Sequence, residues 1–479
     1  MRRMVQKKRD LPLKSEDVSE WYNKVVLQAE LADYGPVKGT MIYRPYGYAI
    51  WELIQKEMDA RIKDRGVSNA YFPLFIPEAL LKKEEKHVEG FSPELAVVTI
   101  GGGEELSEKV VVRPTSETIM YDAFARWVHS WRDLPLMINQ WNNVVRWEKR
   151  TYLFFRTTEF LWQEGHTAHA THDESWEMTN WGINMYADVY KKLFALPGYM
   201  GQKSESEKFA GADASLTYEM LMPGGKALQG CTSHDLGQNF SKSFGIEFQT
   251  KDGKNEHVWQ TSWGFSTRSI GAVIMAHGDD GGLRLPPNLA PIQVVVIPVK
   301  PEVELIAYAE KIEDALKAKG VRIHIDDGDN STLGAKINHW ELRGVPIRIE
   351  LGGREVEQGT VTLVRRDTGE KSSCTLADLE ATVAKLLTDI QQNLYAEAEK
   401  FLMTNTRSAD SYDEFKRILE NDRGFIKAHW CESDECEKKI KEETKATTRC
   451  LPIDAQPEMG TCVYCGKEAG YRWLFAQAY

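Results

Sequence analysis

Four short segments do most to limit what this chain can fold into: R-P-T-S-E at Arg113 to Glu117, R-W-E at Arg146 to Glu148, G-C-T-S-H at Gly230 to His234, and T-R-S-I-G at Thr267 to Gly271. Any one of them is short enough to arise by chance. In this order and together they require a fold that brings four distant stretches to the lining of one site. Arg146 and Glu148 sit two apart in N-N-V-V-R-W-E, a segment of strand character, so both side chains are expected on one face where they can meet one ligand. Alone, the pair would read as an exposed ion pair on a strand. Thr267 to His277 has helical spacing, with Ile270, Val273, Ile274 and His277 on one stripe and Gly278 as the stop. Arg268 then falls in the first turn, where the helix dipole disfavours a cation, and an anion bound in front of it is the expected compensation. Thr115 and Glu117 flank Ser116 just ahead of the periodic run Ile119 to Trp127, which also makes a good helix start.

In kind and order these motifs resemble those of the prolyl-tRNA synthetases, class II aminoacyl-tRNA synthetases, in their archaeal/eukaryotic-type branch; the likeness runs from about Trp21 to Tyr479. It implies an α+β chain with a class II antiparallel-sheet catalytic domain, then an α/β anticodon-binding domain and a C-terminal zinc-binding α/β domain. The expected divisions are an N-terminal extension at 1–20, then 21–288, 289–388 and 389–479. It implies a proline–tRNA ligase that joins L-proline to ATP as prolyl-adenylate, releasing pyrophosphate, and then transfers proline to the 3′ end of tRNA(Pro), with Mg2+ accompanying ATP. Arg146 would contact the α-phosphate and the substrate carboxylate, Glu148 the adenine amino group, Arg156 phosphate and Arg268 the γ-phosphate, while Phe160 stacks on adenine. Ser266 stands where many relatives carry Thr, and keeps the hydroxyl.

The same resemblance assigns Thr115 and Glu117 to the secondary ammonium of proline, whose two N–H donors need acceptors once buried. Trp162, His166 and Phe209 would close around the pyrrolidine ring, and Gln229, Thr232 and His234 would line the adenylate, His234 also bordering the proline pocket. Each aromatic alone reads equally as core. Pro45 to Pro77 would form the interface of a homodimer, through an amphipathic helix at Trp51 to Ile62, then Gly66 and an edge strand carrying Pro73.

At 479 residues the chain suits two or three domains. The prolines of R-L-P-P-N-L-A-P, Arg284 to Pro291, break any regular element and mark a boundary. Beyond it, Ile292 to Pro298 reads as a strand, Pro301 to Lys319 as a helix closed by Gly320, Val321 to Ile325 as a strand, Leu333 to Leu342 as a helix and Val345 to Leu351 as a strand. That alternation predicts a parallel-rich α/β domain. Within it the resemblance places anticodon contacts at Glu341, Arg348, Arg354 and Glu355, the arginines donating to guanine edges or phosphate and the glutamates accepting from guanine amino groups; a solvated charged surface is the competing reading. Helical composition then runs from about Thr375 to Glu420. The tail carries Cys431-x4-Cys436 and Cys462-V-Y-Cys465-Gly466, a donor set suited to a closed tetrahedral zinc, with Cys450 apart from both pairs. Tyr471 to Tyr479 is apolar and aromatic, so it is expected to pack, and the resemblance turns its carboxylate toward the catalytic domain.

Other classes are excluded by what the chain lacks. No apolar stretch approaches the roughly 20 residues of a membrane span, and basic Met1 to Asp10 is followed by no apolar segment or cleavage site, which predicts a soluble cytoplasmic protein with no membrane partner. The net charge of -11 does not bear on RNA, because recruitment depends on local basic patches. Five of the seven cysteines fall between Cys431 and Cys465, which favours metal over a disulfide scaffold. Gly101 to Gly103 lacks a phosphate-loop context and reads as a turn between strands. The interval from Arg156 to Arg268 is too short to add a bacterial-type editing insertion, so alanine and cysteine would be rejected by fit alone. Two rivals remain: a class II synthetase for another small amino acid such as threonine, and a non-catalytic RNA-binding paralogue, which should lack a phosphate-binding arginine.

Overall fold

The computed structural model describes residues 11–81, 83, 95–329 and 331–479. The basic segment Met1 to Asp10 lies outside them. Six strands, Leu136–Val145, Glu159–His169, Trp259–Ser266, Lys226–Gly237, Ala214–Met222 and Tyr199–Gln202, pair in that order, each antiparallel to the next. This is the antiparallel sheet expected of the first domain. Against it packs helix His172–Lys192, started by a reciprocal cap between Thr171 and Glu174 and burying Met178, Ile183, Tyr186 and Val189. The two-residue pleat then divides strand Glu159–His169. Gln163 turns to that helix and accepts from the Tyr186 hydroxyl at 2.6 Å, while Phe160, Trp162, Glu164 and His166 line a cavity.

Helix Pro45–Asp64 is longer than the expected Trp51 to Ile62 and opens on a proline at a first-turn position, where no N–H is missed. The strand after it differs from expectation. It is only Ser68–Asn69, parallel to Ile138 and Asn139 at the sheet edge, and it ends before Pro73. Gly102 and Gly103 do form the tight turn between strands Ala96–Gly101 and Glu104–Val112, with φ of +63° and +90°.

The following α/β unit orders its strands as Ile323–Ile325, Val294–Pro298, Ile347–Leu351, Thr360–Arg365 and Lys371–Thr375. The first three are mutually parallel, whereas the last two pair antiparallel, because the short link from Arg365 to Lys371 has no length for a crossover. Helix Leu379–Thr404 then runs unbroken across position 388. The helical stretch expected to Glu420 is interrupted by strand Thr406–Ala409, which pairs parallel with Phe425–His429. Strands Arg472–Gln477 and Ala446–Pro452 follow, and Leu451 and Pro452 pair with Gln202 and Gly201. The C-terminal unit therefore shares one eleven-stranded sheet with the first domain. Among the described residues no helix is long and apolar enough to cross a membrane.

Candidate active site

Glu164 is the hub of the cavity floor. Its buried carboxylate accepts from the Ser116 hydroxyl and backbone N–H, from Gln140 Nε2 at 3.1 Å, Asn142 Nδ2 at 2.7 Å and His166 Nε2 at 3.1 Å. Burial alone would raise its pKa, but His166, Ser116 and Asn142 together hold it below the usual carboxylate range. For His166 burial likewise opposes the charge, yet the Glu164 hydrogen bond and the Glu117 and Glu164 charges raise it above the ordinary histidine value. The other ring nitrogen of His166 meets the Tyr121 hydroxyl at 3.1 Å. Ser116 stands at the N-cap of helix Glu117–Trp127 without capping it, because its hydroxyl is engaged by Glu164. The helix start expected here is found, without a side-chain cap. Beside it the Thr115 hydroxyl donates to Glu117, and both line the cavity.

Arg146 lies just past the end of strand Leu136–Val145, so strand alternation does not relate it to Glu148 as expected. It is fixed instead by its backbone N–H to Thr158 O at 2.8 Å and by Nε to Pro114 O at 3.0 Å, with its guanidinium 5.4 Å from the Trp162 ring centre. Arg268 begins helix Arg268–His277; its N–H donates to Ser266 Oγ at 3.3 Å, and its Nε to Phe155 O at 3.1 Å. That helix is buried almost all round rather than along one stripe. Its far end is closed by Lys14, whose ammonium donates to Met275 O and Gly278 O at 2.7 and 2.6 Å. Burial, reinforced by Arg156 and Arg146, lowers the Arg268 pKa to about 10. Arg146, Arg156 and Arg268 thus lie close enough for their charges to oppose one another, with Glu148 beside Arg156 at 3.4 Å, an arrangement suited to a polyanionic ligand.

Thr115, Glu117, Arg146, Phe160, Trp162, His166, Phe209, Gln229, Thr232, His234 and Arg268 all border one cavity of about 240 Å3. The Phe209 and His234 rings stack at 4.6 Å, and His234 Nδ1 meets the Ser215 hydroxyl at 2.7 Å. Arg156, nearly half exposed, borders an adjoining cavity of about 470 Å3 that shares Gln229 and Arg268 with the first and is closed by Tyr479, stacked on Phe155 at 5.3 Å. Glu148 borders neither and reaches the site only through an ion pair with Arg156 at 3.4 Å. Arg113 is fully buried and structural, donating to Phe72 O, Asn143 O and Asn143 Oδ1. Sequence reasoning missed Glu164, Lys203 and Glu207, which also border the first cavity. For Glu164 the signal was present: an acid in phase with Trp162 and His166 on one strand face.

Of the expected anticodon residues, Arg348 donates to Glu341 at 3.1 Å and to Glu350 at 2.9 Å, and Glu355 accepts from Gly352 N at 3.0 Å as a helix cap. Only Arg354 is exposed. Glu341, Arg348 and Glu355 are thus half-buried and engaged within this unit. In the tail, the sulfurs of Cys431, Cys436, Cys462 and Cys465 all lie within 4.8 Å of one another, with Cys431 at 3.7 and 3.6 Å from Cys436 and Cys465. Metal–sulfur bonds of about 2.3 Å in a tetrahedron put sulfurs about 3.8 Å apart, so the donors fit zinc in type and spacing. Gly466, at φ +72°, turns the backbone beneath them, and Cys450 sits away in strand Ala446–Pro452.

Family profiles match along the chain: "tRNA synthetase class II core domain (G, H, P, S and T)" at residues 98–277, "Anticodon binding domain" at 293–386 and "Prolyl-tRNA synthetase, C-terminal" at 412–479. The proline–tRNA ligase of Chlorobaculum tepidum is 53% identical, with 97% of this chain and 98% of that protein aligned. That of Rubrobacter xylanophilus is 52% identical over 98% of each. A crystal structure of prolyl-tRNA synthetase from Cryptosporidium parvum, complexed with halofuginone and AMPPNP, superposes with a TM-score of 0.94 at 43% identity, covering 98% of this chain and 96% of that one. The chain belongs to the prolyl-tRNA synthetases.

Proposed function

We propose that this protein activates L-proline with ATP and transfers it to the 3′ end of tRNA(Pro). The observation that carries the reading is the convergence of Arg146 and Arg268 on a cavity whose floor holds Thr115, Glu117 and the Glu164–His166 pair. The already ionised carboxylate of proline attacks the α-phosphorus in line, an O–P bond forms as the bond to the leaving pyrophosphate breaks, and no general base is required. Catalysis then rests on positioning and charge neutralisation. Arg146 holds the carboxylate and α-phosphate, Arg156 and Arg268 the outer phosphates, Phe160 the adenine, and Thr115 with Glu117 the imino N–H donors. Glu148 acts at the adenine edge from its place beside Arg156. Trp162, His166 and Phe209 enclose the ring, and Gln229, Thr232 and His234 border the adenylate. Mg2+ enters with ATP as a counter-ion of its triphosphate.

Cys431, Cys436, Cys462 and Cys465 would hold a structural zinc, supported by their thiolate spacing. Anticodon recognition is assigned to the surface around Glu341, Arg348, Arg354 and Glu355, led by exposed Arg354. A homodimer is supported by the apolar side chains left in solvent in the segment expected at the interface, with Tyr71 71% exposed and Phe75 about half. We divide the chain at 1–20, 21–288, 289–388 and 389–479 and place the protein in the cytoplasm. The interval from Arg156 to Arg268 is taken up by sheet and by helix His172–Lys192, which supports the absence of editing in cis. A threonine-specific site is disfavoured by the Trp162 and Phe209 walls, and a non-catalytic role by the presence of both Arg146 and Arg268. ATP–pyrophosphate exchange screened across amino acids tests the reading: proline alone should support full exchange, and exchange driven by another amino acid in its place would refute it.

A further inference from the structure

Lys203 follows strand Tyr199–Gln202 and borders the smaller cavity, yet the residue is only 7% exposed. Its ammonium makes no side-chain hydrogen bond among the described residues; the nearest carboxylate oxygen is Glu219 Oε1, at 3.8 Å. Glu219 is itself fully buried and already occupied. Its Oε2 accepts from Arg449 Nε and Nη2 at 2.9 and 2.8 Å, and its Oε1 accepts from the Thr217 hydroxyl at 2.8 Å. The trio thus holds two cations against one carboxylate. Glu207, the other acid close in sequence on this wall, is engaged by Lys441 at 3.0 Å. A buried ammonium without hydrogen-bond acceptors is costly, and the fold retains this one at the rim of a substrate cavity. Desolvation lowers the Lys203 pKa, with the Glu219 charge offsetting it only in part.

We propose that Lys203 is a substrate-contacting cation of this site, which takes an anionic oxygen of the bound amino acid's carboxylate or of the adenylate phosphate as its missing acceptor. Arg449, contributed by the C-terminal unit, makes this possible by satisfying Glu219, so that the lysine charge is left for a ligand. The inference rests on the functional reading above and adds a fourth cation to Arg146, Arg156 and Arg268.

The test uses the full chain carrying Lys203→Met or Lys203→Arg, with steady-state ATP–pyrophosphate exchange and calorimetric binding of proline and of prolinol, which lacks the carboxylate. Lys203→Met should lose at least tenfold in kcat/KM, and Lys203→Arg should recover part of it. If the carboxylate is the partner, KM and Kd for proline rise about tenfold while prolinol binding is unchanged. If the phosphate is the partner, proline binding is unchanged and kcat falls about tenfold. Lys203→Met within twofold of the parent in every constant, or weakened equally for proline and prolinol, overturns the proposal. Loss of the folded state in Lys203→Met would assign the ammonium to the fold and overturn it as well. Absence of proline-dependent exchange in the unmutated protein would instead defeat the functional reading, which keeps the two failures apart.

Discussion

Arg268→Gln removes a guanidinium that the fold holds at a cost, and two opposite effects follow from its surroundings. A pKa lowered from the ordinary arginine value to about 10 corresponds to about 3 kcal/mol against the charged form in the fold, at about 1.4 kcal/mol per unit. Linkage sets the sign: below pH 10 both folded and unfolded states carry the charge, so the penalty is complete at neutral pH and is relieved only as pH rises above about 10 toward the ordinary arginine value. Against this stands the hydrogen bond from Arg268 Nε to Phe155 O, worth about 1.5–3 kcal/mol for a charged donor; the contact to Gln229 O at 3.5 Å adds little. The variant should therefore be as stable as the parent or more stable by up to about 2 kcal/mol, measured by urea unfolding without ligand. Exchange activity should nevertheless fall by about 10²–10³, as for loss of one preorganised charge-stabilising donor. Saturating ATP should raise the unfolding midpoint of the parent more than that of the variant. A variant destabilised by more than about 1 kcal/mol, or one keeping exchange within tenfold, would show that Arg268 is a structural arginine and that the convergence of cations has been misread.

Three further outcomes are expected. Glu164→Gln turns an amide N–H2 toward a shell of donors and removes the partner of His166, which should cost about 3–5 kcal/mol in urea unfolding; an unchanged midpoint would contradict the hub role. His169 and His277, both pushed down to about 4 chiefly by burial, stay neutral in the fold, so their stabilisation is complete above pH 6.5 and is lost as pH falls toward 4. His277→Gln should flatten that decline in a series of thermal melts, and a flat profile in the parent would refute the assignment. Elemental analysis should return about one zinc per chain, and Cys462→Ser should abolish it; full zinc retention in that variant would rule out the four-thiolate centre.

The chemistry-bearing segments were legible because residue type and spacing survive without a fold. Strand Glu159–His169 shows this best, since alternation alone sets Phe160, Trp162 and His166 together, and would have added Glu164. Partnership was not legible. Arg113 and Arg146 look alike in sequence, yet the three donors of Arg113 are consumed by Phe72 and Asn143, which only the tertiary fold brings near. The contacts of Arg348 with Glu350 and of Glu355 with the Gly352 N–H went unread for the same reason. Thr406–Ala409 is too short for periodicity to outweigh the helical composition around it, and its existence depends on pairing with Phe425–His429.

The join between Gly201 and Leu451 has a consequence for biosynthesis. A side chain at Gly201 would come within 2.3 Å of Leu451 O, so the two strands meet with no room to spare. On a ribosome adding about 5–20 residues per second, strand Tyr199–Gln202 emerges roughly 10–50 s before Ala446–Pro452 can cover it. Throughout that interval the nascent chain displays bare N–H and C=O groups along one margin, a template for pairing with neighbouring polypeptides. Sealing it also waits for Arg472–Gln477, the strand that flanks Ala446–Pro452 on its other side. Holding that margin apart from other chains during synthesis is work a chaperone is suited to do, and premature termination before residue 446 should yield an aggregating fragment rather than a trimmed enzyme.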